Sequence, residues 1–216
     1  MSVTVRKVSS PSEAEIQNYC EVLADSFNNQ FFAGALMNDV SLQVPIHRAH
    51  VAAALTGEGE VWIAEMPEEG VVGVGVWFGP GFKFLSTDKQ REAGWNELMA
   101  KLDDTCRDWW PKFLAEYDVL VESVLGAGVK LGAWHLQLIG IKQSCQKKGA
   151  GKALLDAVEA EARKEKVPTC LETMAGGGAA KMYEAVGYTM QGSGPITWVN
   201  GAQLPFGVFI KHTEKE

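Results

Sequence analysis

The sequence has no uninterrupted run of about 18 apolar residues, so no membrane-spanning helix is expected. Its opening stretch, MSVTVRKVSS, lacks the apolar segment of a secretory leader, which points to the cytoplasm. The four cysteines, Cys20, Cys106, Cys145 and Cys170, form no C-x-x-C pair and share no regular spacing. They read as free thiols in a reducing compartment, and nothing beside Cys145 resembles a base that would activate it. Positive charge is in deficit, with 20 Lys and Arg against 27 Asp and Glu and a net charge of -7. A nucleic-acid binder needs a basic face, so a polymeric anion is not the expected partner. No metal-ligand spacing occurs, and neither His47 nor His50 sits in a carboxylate pattern, so no metal is expected.

What is present is an ordinary globular composition. The 216 residues are 46% hydrophobic and 22% charged, enough for one domain with a sizeable core. Residues 1–216 contain no linker, repeat or low-complexity tract. VTVRKV alternates as a first strand. The stretch PSEAEIQNYCEVLADSF places Ile16, Tyr19, Cys20 and Leu23 at helical spacing, with Ser12 as N-cap. IHRAHVAAALTG predicts a second helix closed by Gly57. Two β-rich runs then flank Pro67-Glu68-Glu69-Gly70, a hairpin signal. Gly73 and Gly75 mark a bulge or a close backbone approach in its second strand.

Residues 82–132 read as a helical insertion. REAGWNELMAKLDD predicts one helix with Trp95, Leu98, Met99 and Leu102 on one face. A further helix is expected to start near Pro111, carrying Phe113, Leu114 and Tyr117. Its aromatics, Trp109 and Trp110 among them, either pack a local core or wall a substrate site. AWHLQLIGI follows as a strand, with His135, Gln137, Ile139 and Ile141 expected on one face. KALLDAVEAEARKEK is a helix with Leu154, Leu155, Val158 and Ala162 inward and a basic C-terminus. VPTCLETM is a strand, GGGAAKMYEAVGY a short helix closed by Gly187, and ITWVN and PFGVFIKH supply one or two last strands. The order βααββ, insertion, βαβαβ(β) predicts an α/β fold with a mixed central sheet and helices on both faces.

Between strand and helix lies QSCQKKGAGKALL. Glycines there let backbone N–H groups approach an anion, and the helix N-terminus adds partial positive charge. Lys147, Lys148 and Lys152 add full charges, so a small phosphate ligand is the functional reading and a solvated turn the plain one. The segment fails the P-loop pattern, because Ala153 follows Gly151-Lys152 and position 146 is Gln. It also fails the dinucleotide fingerprint, since Leu154 stands where that pattern needs glycine.

Gln146 through Gly151 does match Q/R-x-x-G-x-G/A, between a strand ending Ile139-Gly140-Ile141 and a helix starting GKALL. Farther on, Tyr183-Glu184-Ala185-Val186-Gly187-Tyr188 matches Y-x-x-x-G-F/Y. Together these resemble the GNAT superfamily of N-acetyltransferases. AWHLQLIGI, VPTCLET and MYEAVGY look most like its puromycin N-acetyltransferase group, which also carries a helical insertion before this strand. Two departures stand out: Gln143 where proline is common, and Gly176 where many members place an asparagine that bonds the pantetheine arm.

The resemblance implies direct acetyl transfer from acetyl-CoA to an amine. Ile139, Gly140 and Ile141 would pair with the pantetheine arm like an added strand, and one of their N–H groups would polarise the thioester carbonyl. Gln146, Lys147, Lys148, Gly149, Ala150, Gly151 and Lys152 would hold the pyrophosphate. Tyr183 matches the general acid. His135 has a suitable pKa for the base, with Glu172 and Glu65 as rivals; Glu172 lies in an apolar strand where a carboxylate needs a partner. Trp109 and Trp110 are the substrate-wall candidates. The expected acceptor is a small-molecule amine (a toxin, antibiotic or biogenic amine) and the expected assembly a monomer or homodimer. A non-catalytic acyl-CoA sensor and a protein N-acetyltransferase stand as the rival readings.

Overall fold

The structure, a computed structural model, describes residues 2–213. Seven strands form one sheet: β1 (Thr4–Lys7), β2 (Glu60–Met66), β3 (Gly70–Phe78), β4 (Trp134–Ile141), β5 (Thr169–Met174), β6 (Thr189–Thr197) and β7 (Gln203–Lys211). Their spatial order is β1-β2-β3-β4-β5-β7-β6. β4 and β5 run parallel, and the other neighbouring pairs run antiparallel. The helices are α1 (Glu13–Ser26), α2 (Gln43–Ala53), the short α3 (Asp88–Gln90), α4 (Asn96–Lys101), α5 (Asp104–Leu125), α6 (Ala150–Glu165) and α7 (Gly178–Ala185). This is the expected mixed α/β order with the insertion in its expected place.

The sheet separates two apolar layers. α1, α2 and the insertion share one with Val74, Val76 and Leu138. α6 and α7 share the other with Trp77, Leu136 and Phe209. Ser12 caps α1 through a capping box with Glu15, and Tyr19, Cys20 and Leu23 are buried on its inner face. Leu154, Leu155, Val158 and Ala162 are the inward face of α6. In the β2–β3 hairpin the register shifts after Ala64, and a Cβ on Gly73 would lie 2.5 Å from Ile141 Cδ1, so both a bulge and a close approach mark this strand.

Several sequence expectations are corrected. α5 starts at Asp104, not near Pro111, which lies inside the helix. The Asp103 side chain accepts a hydrogen bond from the Cys106 amide, and that N-cap sets the boundary. The single helix expected from REAGWNELMAKLDD is instead a wide helical turn at Arg91–Trp95, where Gly94 leaves helical geometry, followed by α4. β6 begins at Thr189, well before ITWVN. TMQGSGP lies outside the strand expected at ITWVN, and its glycines serve packing: a Cβ on Gly194 would lie 2.6 Å from Leu120 Cδ1 of α5. The glycine therefore lets the insertion helix lie against the sheet edge.

The expected strand face of His135, Gln137, Ile139 and Ile141 is broken. β4 pairs Val76 with Leu138 but Trp77 with Leu136, so Gln137 is a bulge. One inserted residue reverses every later side chain. Ile139 and Ile141 pack on the α6 side, whereas His135 faces the insertion.

If Asp103 caps α5, Asp103→Ala should lower stability by about 1 kcal/mol in urea unfolding. An unchanged midpoint would show that the N-cap contributes nothing.

Candidate active site

β4 and β5 are paired only at Trp134↔Thr169, His135↔Cys170 and Leu136↔Leu171. Beyond that point β4 continues to Ile141 and β5 to Met174 without pairing. The strands therefore part, and one edge of each presents backbone groups that no neighbouring strand satisfies. Glu172 shows this directly: its side chain is 0% exposed, so the residue's partial exposure is all backbone.

A cavity of about 590 Å³ opens over this parting, within the usual small-molecule range. Its floor is Leu136 to Ile139 and Leu171 to Met174. α5 gives Trp110, Phe113 and Tyr117, the segment after α1 gives Phe31 and Phe32, and Trp198 and Phe206 close the far side. Tyr183 of α7 also lines it. Its hydroxyl has no hydrogen-bond partner among the described residues, and burial raises its pKa above the usual phenol value.

Trp110 is thus one of the residues that line the cavity. Trp109 is not among the lining residues; its indole N–H donates to Thr197 O at 2.9 Å, and it packs against Trp110, Phe113 and Trp198. Glu65 pairs with Arg6 on the outer strands, away from the cavity.

His135 and Glu172 come together. The Glu172 Oε2 atom lies 2.7 Å from His135 Nε2 and accepts from Tyr117 Oη at 2.8 Å. Lys130 Nζ stands 3.7 Å from Oε1. Burial alone would raise the Glu172 pKa, but Lys130, His135 and Tyr117 outweigh it and hold the carboxyl down at about 2. His135 is lowered by burial and then by Lys130, so it is neutral at pH 7. With Glu172 ionised, His135 carries its proton on Nε2, and Nδ1 is a buried lone pair with no partner. Sequence reasoning named both residues but missed Tyr117 and Lys130, which hold them from the insertion.

The glycine segment lies at the same end of the sheet. Gly149 is the N-cap of α6 with φ 92°, and no side chain caps the helix. A Cβ on Gly149 would meet nothing within 4 Å, so the left-handed backbone, not crowding, demands glycine here. Gln143 fastens the loop to α1: its amide donates to Asp25 Oδ2 at 2.8 Å and its Nε2 to Asp25 O at 2.7 Å. Gln146 Nε2 donates to Ile141 O at 3.2 Å. Lys147 and Lys148 are exposed, and Lys152 pairs with Asp156 at 2.5 Å. An uncapped helix start flanked by lysines, beside strand edges with free backbone groups, fits an extended amide chain ending in a pyrophosphate.

Two further histidines lie near the cavity. His50 lines it, bonds Ile46 O through Nδ1 at 2.8 Å, and stacks on Phe84 at 4.5 Å. Among the described residues, neither ring nitrogen of His47 has a hydrogen-bond partner. Burial pushes their pKa values down to about 4 and about 3.

Glu172→Gln should leave Lys130 without its buried counter-charge and cost about 3–5 kcal/mol in urea unfolding. An unchanged midpoint would show the network to be energetically idle. His47 and His50 have folded pKa values below the 6.5 of a free histidine, so their contribution is present above pH 6.5 and is lost as pH falls toward 4 and 3. Unfolding curves between pH 7.5 and pH 4.5 should therefore show falling stability, and His47→Phe should flatten that slope.

Residues 113–204, from mid-α5 through most of β7's approach, match the family model described as an acetyltransferase (GNAT) domain. No curated protein sequence matches the chain. Among solved structures, one assigned to the GNAT family from Desulfovibrio desulfuricans is 13% identical, with TM-score 0.57 over 98% of this chain and 99% of its own. A Corynebacterium glutamicum protein described as histone acetyltransferase HPA2 and related acetyltransferase is 18% identical, with TM-score 0.54 over 98% and 97%. The ribosomal-protein-S18-alanine N-acetyltransferase of Escherichia coli is 12% identical, with TM-score 0.50 over 100% and 96%. At these identities the likeness establishes the fold, and the domain match covers the stretch that holds β4, the glycine segment, β5 and α7. Residues 113–204 are thus similar to a GNAT acetyltransferase domain, and the fold of the whole chain is similar to that of solved GNAT structures.

Proposed function

We propose that the chain transfers the acetyl group of acetyl-CoA to the primary amine of a small molecule by direct attack. One observation carries this reading: the parting of β4 from β5 ends in an aromatic-walled cavity that Tyr183 lines, beside the uncapped start of α6. Acetyl-CoA, when bound, supplies an activated thioester. Ile139, Gly140 and Ile141 offer it backbone partners, and Gln146 to Lys152 offer its pyrophosphate the helix end and nearby lysines. The likeness of AWHLQLIGI, VPTCLET and MYEAVGY to the puromycin N-acetyltransferase group supports a small acceptor and a detoxifying role. So do the cavity's small-molecule size and its wall of α5 side chains, Trp110, Phe113 and Tyr117.

Tyr183 gives its proton from Oη to the departing sulfur. Its raised pKa keeps that proton in place at neutral pH. The amine's proton leaves on the other side. Glu172 lines the cavity through its backbone, while its enclosed carboxylate and His135 lie one layer behind; Tyr117, which both lines the cavity and donates to Glu172, connects them to it. Tyr117 Oη accepts a hydrogen bond from the amine N–H and orients it, while its own O–H stays donated to Glu172. Lys130 and His135 keep Glu172 ionised and aligned to hold that hydroxyl.

Thiol release from acetyl-CoA across an amine panel tests the reading. Tyr183→Phe keeps the ring, so acetyl-CoA affinity should persist while kcat falls by at least about 10²-fold. Binding of acetyl-CoA without thiol release from any amine would instead mark an acyl-CoA sensor. His135→Gln should lower the rate and remove the acidic limb of kcat/KM, a limb that stays in place for acceptors of different pKa.

A further inference from the structure

The cavity has no free charge. Rings dominate its wall, among them Phe31, Phe32, Trp110, Phe113, Trp198 and Phe206. Phe32 and Trp198 stack at 5.2 Å and 20°, which gives one side a flat face. Among the described residues no Lys, Arg or Asp lines it. The lining residues with titratable side chains are His50, Tyr117, Glu172 and Tyr183. His50 is neutral at pH 7, and the Glu172 carboxylate is fully enclosed, with Tyr117, His135 and Lys130 already on it.

Resting on the transfer reading above, we propose that the acceptor is a monoamine on an aromatic or apolar body, with no acidic group and no second cation. A carboxylate or phosphonate on the acceptor would enter a site with no lining cation to pair it, and an unpaired buried anion is strongly disfavoured. A polyamine would bury further ammonium groups with no free carboxylate to receive them. A lysine in a peptide would bring backbone amides against ring faces that cannot bond them. A single ammonium is different, because ring faces attract it directly. Lys130 Nζ does this at the edge of the site, 4.9 Å from the Tyr117 ring centroid. The apolar body gains from burial against the rings in proportion to its area.

The experiment uses four probes with saturating acetyl-CoA: 2-phenylethylamine, phenylalanine, spermidine and a short lysine peptide. The first two share a body and differ by one carboxylate. Thiol release should give 2-phenylethylamine a kcat/KM at least roughly 100-fold above each of the others. Phenylalanine, spermidine or the peptide within about tenfold of it would overturn the proposal. Should acetyl-CoA bind but no amine turn over, the transfer reading fails. Calorimetric binding of 2-phenylethylamine against phenylalanine then decides the cavity's chemistry alone: the same preference supports it, and equal or reversed affinities overturn it.

Discussion

The structure turns on where two parallel strands stop pairing. β4 and β5 share three residue pairs and then part. A sheet edge inside a domain normally finds a partner, because unpaired backbone groups buried from water are costly. Here the two edges are left open at the ends of the strands, where the β4–α6 loop and the β5–α7 turn also lie. A ligand with amide groups along an extended arm can complete what the sheet leaves undone. The bulge at Gln137 belongs to the same device, since it reverses the later half of β4 and turns Ile139 and Ile141 toward α6.

The insertion is what closes the space above that parting. α5 crosses the β6 edge, where Gly192 and Gly194 make room for Val124 and Leu120. It is tied down at its middle by the Tyr117–Glu172 bond and, through the turn that follows it, by Lys130. A buried carboxylate with a cation, an imidazole and a phenol around it is costly to form and more costly to break, so it fixes one arrangement. Substrate wall and proton network therefore share one anchor: the tyrosine that faces the cavity is the one that holds Glu172.

Much of this was legible in the sequence, for physical reasons. α1 and α6 announce themselves by apolar spacing with strong ends, and the hairpin by its turn. The glycine segment and the later tyrosine motif lie in the stretch that the domain match covers. What escaped depends on distant contacts. The first part of β6 was not picked out because its glycines answer to a helix about 70 residues earlier, a dependence that local propensity cannot register. Pro111 looked like a helix start, but the Asp103 cap won. The strand face through His135 failed because alternation assumes a regular ladder and a single bulge cancels it. Glu172 drew notice as a carboxylate in an apolar strand, yet two of its partners, Tyr117 and Lys130, lie on a segment whose packing only the fold reveals.

The central claim is that the open edge of β4 and the uncapped start of α6 together receive acetyl-CoA. Amide hydrogen exchange with and without acetyl-CoA measures this residue by residue. The account predicts slowed exchange at Gln137 to Ile141 and at Gly149 to Ala153, with little change in β1 and β2. Protection confined to other segments, or none at β4 while acetyl-CoA is demonstrably bound, would contradict it.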